Sequence, residues 1–413
     1  MFKKFTLKNF RTHVDTVFEP KDVTLIIGSN NSGKSNLLFG LNYFSRLISS
    51  AFPGSEKSKM LKMSNLSSHR HSLSDVNTPM IFSCEWEKEQ SKLAYEIQLY
   101  CINEKMPDIA CKEKLSVFTN NSEKIIKHGY DAPSQEMLLR TKLETEDLTS
   151  DEKKLTDLFF RSLSFIHYYH FQPAFLKGQA LPLIQGKIAE KKNFEEILKD
   201  RNSLNIANEI GREGSNFQEL VRYVKEHDEI GYNKFLGYLK RFVKSFNGII
   251  IDKGVTKWQF DMGGSKFPYF ESDKISDGLL KAGAVALLCA MKRPPAIIMI
   301  EEIENGINQK NLSEFLSWLS EISQKGMNTQ FILTSHNPSV IREFSHRLDA
   351  AYKLHLREKD YRSIITNLND ALIPLANMGT IDGELVEKDG KQIIQVQPYA
   401  LTELFYNGVL GQL

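Results

Sequence analysis

Hydrophobic and polar positions change their rhythm three times within the first 47 residues. "FKKFTLKNF" (2–10) alternates and predicts a strand, while "VTLII" (23–27) is uniformly apolar and predicts a buried one. After the polar stretch "GSNNSGKSN" (28–36), Leu37, Leu38, Leu41 and Phe44 recur at helical spacing. Residues 48–78 are rich in Ser, Lys and His and predict a mobile loop. From 79 to 130 the runs "MIFSCEWE", "KLAYEIQLYCI", "KLSVF" and "KIIKHGY" predict an antiparallel sheet joined to the first strands. The charged segment 134–162 reads as helix, and "LSFIHYYHFQP" reads as a strand stopped by Pro173. Residues 184–246 read as two helical stretches parted by the breaker "GREGS", too short and too irregular for a coiled-coil arm.

Two strands, "GIIID" and "KWQFDM", precede "SDKISDGLLKAGAVALLCAMKR". "AIIMI" is a buried strand, 309–324 a helix, and "TQFILTSHNP" a strand ending in a polar loop. The tail 350–413 carries "AAYKLHL", "SIITNL" and "KQIIQVQP", then "LTELFYNGVLGQL", read as an amphipathic helix for packing or docking. This order predicts an α/β protein with a mixed sheet, an appended antiparallel sheet and a small inserted helical lobe. The expected boundaries are 1–183, the lobe at 184–247, a second core half at 248–349, and a terminal piece at 350–413.

Composition adds little to this picture. The 53 basic and 51 acidic residues leave a net charge of +2, so no global polyanion signal exists. The 4 cysteines lack metal spacing and are expected reduced. His69/His71 and His167/His170 read as isolated surface or packing pairs. A short, polar N-terminus and the lack of any long apolar run predict a cytoplasmic chain without a membrane span.

The candidate chemistry lies at the ends of the buried strands. Gly28, Gly33, Lys34 and Ser35 fit G-x-x-x-x-G-K-[ST], a match expected by chance in about one chain in a hundred of this length. A buried strand before it and an amphipathic helix after it supply the context that phosphate binding needs. The glycines let backbone N–H groups wrap a phosphate, and the helix N-terminus favours its charge. Asn30, Asn31, Ser32 and Asn36 complete the candidate binding set, with Lys34 for the β- and γ-phosphates and Ser35 for Mg2+. ATP and Mg2+ are therefore the expected ligands. Glu301 and Glu302 end the strand "AIIMI"; such a pair is ordinarily a solvated strand end, but the upstream loop changes that reading. Glu301 is then the candidate metal acid and Glu302 the candidate base. His336 ends "FILTSH", and Ser276, Asp277 and Gly278 open a small-residue helix.

Taken in order, GSNNSGKS, ISDG, IIMIEEIENG and LTSH resemble the ABC-type ATPases of the RecF, SMC and overcoming-lysogenization-defect (OLD) group. The opening "FKKFTLKNFRTHVDTVFEPKDVTLIIGSNNSGKSNLL" is especially similar, and the resemblance covers 1–47 and roughly 270–345. It implies an ABC-type head that hydrolyses ATP, two copies sandwiching two nucleotides. Ser276 and Gly278 would then reach the γ-phosphate on the partner, Glu302 would be the catalytic glutamate, and His336 the switch histidine. Gln172 is the candidate magnesium-binding glutamine of that group. The chain departs from the pattern with ISDG for LSGG, Glu301 for Asp, and Asn308-Gln309 where His-Pro is usual.

No Toprim, HNH or zinc-finger pattern accompanies the ATPase motifs. That combination resembles the stand-alone ATPase subunits of PARIS- and Septu-type anti-phage systems. It implies a homodimer or higher homo-oligomer that senses and scaffolds, controlling a separate Toprim or HNH nuclease. The alternative is a RecF-like DNA-repair ATPase that binds DNA itself, for which only mixed-charge stretches such as "KRFVKSF" speak. An ABC transporter subunit is disfavoured by the KNFR opening and the SDG signature.

Overall fold

A computed structural model describes residues 1–49, 66–75, 77–101, 109–119, 122–130, 148–178, 183–184, 187–188, 210–264, 266–292, 294–324, 329–388 and 390–407. The helix expected from "FEEILKDRNSLNIANEI", most of the loop expected at 48–78, the first half of the charged helix at 134–162 and the end of the C-terminal helix lie outside these residues. The chain divides into two compact units. The first comprises Met1–His167, Pro295–Met299 and Asn328–Leu413; the second comprises Tyr168–Pro294 and Ile300–Met327.

In the first unit, β1 (Phe2–Phe10), β2 (His13–Phe18), β4 (Met80–Lys88), β5 (Ser91–Cys101), β6 (Ile109–Thr119) and β7 (Ser122–Tyr130) form one antiparallel sheet, ordered β2-β1-β4-β5-β6-β7. Alternation decides its inner face: Met80, Phe82, Cys84 and Trp86 are buried while their neighbours along β4 are not. Helix α1 (Lys34–Ser49) lays Leu37, Leu41 and Phe44 against that face, and Phe44 stacks on Tyr95 at 6.0 Å. Gly40 is the close approach, since a β-carbon there would meet Leu7 and lie 3.1 Å from the Phe10 ring. Each such fully buried Leu or Phe contributes about 1.5–3 kcal/mol. A short helix, α2 (Leu66–His69), follows α1, and α3 (Ser150–Leu163) opens with a reciprocal cap between Thr149 and Glu152.

The central sheet has the order β17-β16-β3-β15-β14-β8. Its strands are β3 (Val23–Ile27), β8 (Ile166–Tyr169), β14 (Ile297–Ile300), β15 (Gln330–Ser335), β16 (Ala351–Arg357) and β17 (Arg362–Asn367). Both β15 and β16 run parallel to β3, and β17 runs antiparallel to β16, so the sheet is mixed. Strand β3 is buried on both faces, as a uniformly apolar run requires. Two strands read from the tail are thus members of this sheet. Their helix α10 (Leu368–Asn377) has no counterpart in the sequence reading, because Pro374 signals a break there. Asn367 starts it nonetheless, its side chain accepting from the Asn369 amide at 3.0 Å. The hairpin β18 (Gly383–Lys388) and β19 (Lys391–Val396) and helix α11 (Pro398–Tyr406) complete the unit.

The second unit holds α4 (Pro173–Leu176), the two-residue strands β9 (Leu183–Ile184) and β10 (Lys187–Ile188), α5 (Phe217–His227) and α6 (Glu229–Phe242). The sheet β11 (Phe246–Asp252), β12 (Val255–Phe260) and β13 (Tyr269–Glu271) leads into α7 (Asp277–Ala290). From Gly278 onward every residue of α7 is buried, which its small and apolar composition permits on all sides. Helix α8 (Gln309–Ile322) places Phe315 and Trp318 against Phe242, the Trp318 ring 5.7 Å from it. Among the described residues Cys84 and Cys289 are buried thiols and Cys111 is a half-buried one. No described helix is long and apolar enough to cross a membrane.

Candidate nucleotide site

The phosphate-loop candidate follows β3 as expected and forms a turn into α1. Ser29, Asn30, Asn31 and Ser35 are exposed, whereas Ser32, Gly33 and Lys34 are buried and Asn36 is half-buried. Two residues hold left-handed backbone, Asn31 at φ 65° and Gly33 at φ 104°. A β-carbon on Gly33 would collide with Ser363 Oγ and lie 2.9 Å from Thr12 Oγ1, and one on Gly28 would collide with the Leu354 carbonyl. The Lys34 ammonium folds back to donate to the carbonyls of Gly28 (2.7 Å) and Ser29 (2.8 Å). Ser32 Oγ is buried without a hydrogen-bond partner. A cradle that only glycine fits, an orphaned hydroxyl and a lysine at a helix start together fit a bound phosphate chain.

The loop rests on residues that the motif does not contain. His13 is fully buried, its Nε2 3.1 Å from the Gly33 carbonyl and its Nδ1 2.9 Å from Thr16 Oγ1. Since a carbonyl can only accept, Nε2 carries the hydrogen and Nδ1 accepts from the Thr16 hydroxyl. Burial pulls this imidazole down to about 4, only partly opposed by the Gly33 carbonyl. Ser363 of β17 donates to the Ser32 carbonyl at 2.9 Å and lies 2.8 Å from Thr12 Oγ1. Arg11, from "KNFR", donates to Asn36 Oδ1 at 3.0 Å while stacking over Phe39 at 4.1 Å. In the same unit Ser335 pairs in register with Ile27, so exposed His336 leaves β15 at the sheet edge where Gly28 leaves β3.

In the second unit the acid pair is set by the end of β14, whose four residues are buried. Glu301 is buried and Glu302 half-buried, the latter in left-handed backbone at φ 50°. Backbone strain at a non-glycine of this kind persists only where surroundings enforce it. Asn305 donates to the Glu302 carboxylate through its side chain and to the Glu302 carbonyl through its backbone at 3.0 Å.

Strand β8 and the residue after it supply neighbours that the motifs do not contain. The Tyr168 hydroxyl donates to Glu301, and His170 brings Nδ1 to 3.2 Å from Glu301 and Nε2 to 3.9 Å from Glu302. Its hydrogen bond to Glu301 holds the His170 imidazole above its ordinary range, against the opposing cost of burial. The expectation that His170 is an isolated surface or packing residue is corrected by this geometry. A helpful signal was present in "HYYH", whose alternation sends Tyr168 and His170 to one side of the strand. The other histidines do pack: His71 is buried against the Arg11 carbonyl, and His69 lies edge-on to Phe39.

Gln172 caps α4 through its backbone, and its amide donates to the Glu213 carbonyl at 3.0 Å; its side chain makes no cap bond. Ser276 is the N-cap of α7, its hydroxyl accepting from the Leu279 amide at 3.4 Å. Ser276 and Asp277 are exposed while Gly278 is buried against Gly306, where a β-carbon would collide with the carbonyl. Asp277 is held at 2.7 Å by Lys177, the residue that ends α4 as its C-cap.

A mixed sheet thus carries a glycine cradle after β3 in the first unit, and an acid pair follows β14 in the second. A family model described as "AAA domain, putative AbiEii toxin, Type IV TA system" matches residues 119–342, over half of the chain, and the chain belongs to that family. The matched span contains Gln172, Ser276–Gly278, Glu301, Glu302 and His336, and begins after the phosphate loop.

Among solved structures the chain is similar to an SMC head bound to the C-winged helix domain of ScpA, at 13% identity and TM-score 0.47, covering 90% of this chain and 99% of that one. It is also similar to the SMC head domain from Thermotoga maritima, at 14% identity and TM-score 0.43, covering 89% and 98%. A third similar structure is an Smc head domain with an extended coiled coil, bound to a C-terminal domain of ScpA derived from Pyrococcus furiosus. There the identity is 12% and the TM-score 0.42, with coverage of 92% and 99%. No curated protein matches the chain.

Proposed function

We propose that this chain binds and hydrolyses ATP, dimerises on the nucleotide, and acts as sensor and scaffold for a separate nuclease in a bacterial anti-phage defence complex. The observation that carries the ATPase reading is the loop 28–36, whose buried Ser32 hydroxyl lacks a partner and whose Gly33 admits no side chain. Backbone N–H groups from Asn30 to Asn36 would hold the phosphates, with Lys34 swinging from the loop carbonyls onto the β- and γ-oxygens. Ser35, Glu301 and Gln172 would hold Mg2+, which supplies charge neutralisation on the phosphates when bound. Glu302 orients and deprotonates the attacking water, and His336 hydrogen-bonds the γ-phosphate. The donor set is oxygen-rich, as a hard divalent cation requires.

The second-copy contact is supported by the exposure of Ser276 and Asp277 at the start of a buried helix. Such an N-terminus offers a hydroxyl and unpaired backbone N–H groups to an anion brought from outside. The defence role is supported by the likeness to anti-phage ATPase subunits and by a family description that includes a toxin of a toxin–antitoxin system. Tagged Glu302→Gln protein, purified from its native host with Mg-ATP, tests both parts. Stalled hydrolysis with a stoichiometric nuclease is the expected outcome. Nucleic acid with no protein partner would favour a RecF-like repair ATPase, and normal turnover would remove Glu302 from its role.

A further inference from the structure

We infer that Lys281 is a positioning residue that fixes the backbone of Glu302 from the underside of the ISDG helix. This rests on the reading of Glu302 as the base and adds to it a residue that no motif contains. Lys281 lies one turn into α7, four residues after Asp277 and three after Gly278, hence on the helix face they share. It is buried, and its ammonium donates to the Glu302 carbonyl. A buried ammonium is costly unless its surroundings repay the lost hydration. Here the carboxylates of Glu304 and Glu302 are the opposing charges, yet burial still pulls Lys281 down to about 8. The cation is thus retained despite the cost of its burial.

What Lys281 grips is the strained part of the turn. Glu302 holds φ 50°, and Gly306, four residues on, holds φ 78°. The first turn of α7 touches this segment at two points, Gly278 against Gly306 and Lys281 against Glu302. Since α7 is buried from Gly278 onward, its first turn has little freedom to move alone. A ligand drawn to exposed Ser276 therefore acts on a helix end that touches the acid turn as well as Lys177. Lys281 converts the position of that helix end into the position of the Glu302 backbone, and so of its carboxylate.

The test compares Lys281→Met, Lys281→Arg and Glu302→Gln in the full chain, measuring equilibrium Mg-ATP affinity and steady-state turnover. Lys281→Met should lower kcat about 10- to 100-fold, the size expected for a misplaced catalytic group, while ATP affinity stays within about threefold. Lys281→Arg, which keeps a long cationic donor, should recover most of that loss. A Lys281→Met enzyme with turnover within about twofold of wild type overturns the inference, as does a loss of affinity parallel to the loss of turnover. If Lys281→Met is insoluble, Lys281→Gln, one atom shorter and still polar, is judged by the same criteria. Slow Glu302→Gln with wild-type Lys281→Met sinks the positioning role alone. Full turnover in Glu302→Gln sinks the reading of the base and the inference with it.

Discussion

The buried imidazole beneath the phosphate loop gives the fold a defined response to acid. His13 has its folded value lowered to about 4 from an ordinary 6.5, burial being the main cause. The folded protein therefore resists a proton that the unfolded chain accepts. Its stability is unaffected by this group above 6.5 and declines as pH falls from there toward 4. At about 1.36 kcal/mol per pH unit the full loss is about 3.4 kcal/mol, of which about 2 kcal/mol falls between about pH 7 and pH 5. That is a large share of the roughly 5–15 kcal/mol that holds a typical domain folded.

The proton would also enter at Nδ1 and displace the hydrogen bond accepted from Thr16, loosening the ring that supports the Gly33 carbonyl. Trp86 is the only tryptophan of the first unit, the others being Trp258 and Trp318, so its fluorescence in a Trp258→Phe/Trp318→Phe background follows that unit. Urea unfolding at several pH values in this background and in one carrying His13→Gln isolates the histidine. The histidine form should lose about 2 kcal/mol more than the glutamine form between about pH 7 and pH 5. Parallel pH dependences would refute the reasoning.

Two further substitutions probe the loop and the helix end. Gly33→Ala must place a β-carbon against Ser363 Oγ at φ 104°, and should weaken Mg-ATP binding by about 2–4 kcal/mol in calorimetry, with little change expected if the cradle is wrongly drawn. Ser276→Arg replaces an exposed N-cap at a cost of about 1 kcal/mol in stability. It should leave ATP affinity intact while abolishing turnover and nucleotide-driven dimerisation in sedimentation; lost affinity would argue against contact in trans.

What the sequence disclosed is local. The loop 28–36, the strand before it and the helix after it share one short window, and so do β14 and the acids at its end. Periodicity and spacing act over that range, which is why these elements were legible. Supporting residues came from far along the chain: Ser363 meets Ser32 across 331 positions, and Tyr168 meets Glu301 across 133. No pattern in a single sequence reports such pairings, and a histidine reads alike whether it faces water or a carboxylate. Lys281 was hidden for a related reason, since a lysine in an apolar helix suggests an exposed position rather than a buried one. Helix α10 was hidden by Pro374, a breaker that tolerates its place near the end of a short helix.

Strand β3 lies between β15 and β16, pairing Val23 with Phe331 and Leu25 with Ala351. On the ribosome the segment that ends in the phosphate loop emerges well before β15 and β16, the two strands it pairs with. Until then an apolar strand with two open edges awaits partners, a state prone to wrong pairing and suited to chaperone capture. The loop therefore gains its supports only after β16 and Ser363 of β17 have been made. Stalled nascent chains of increasing length should show the loop resisting protease only after β16 has left the exit tunnel; earlier protection would contradict this order.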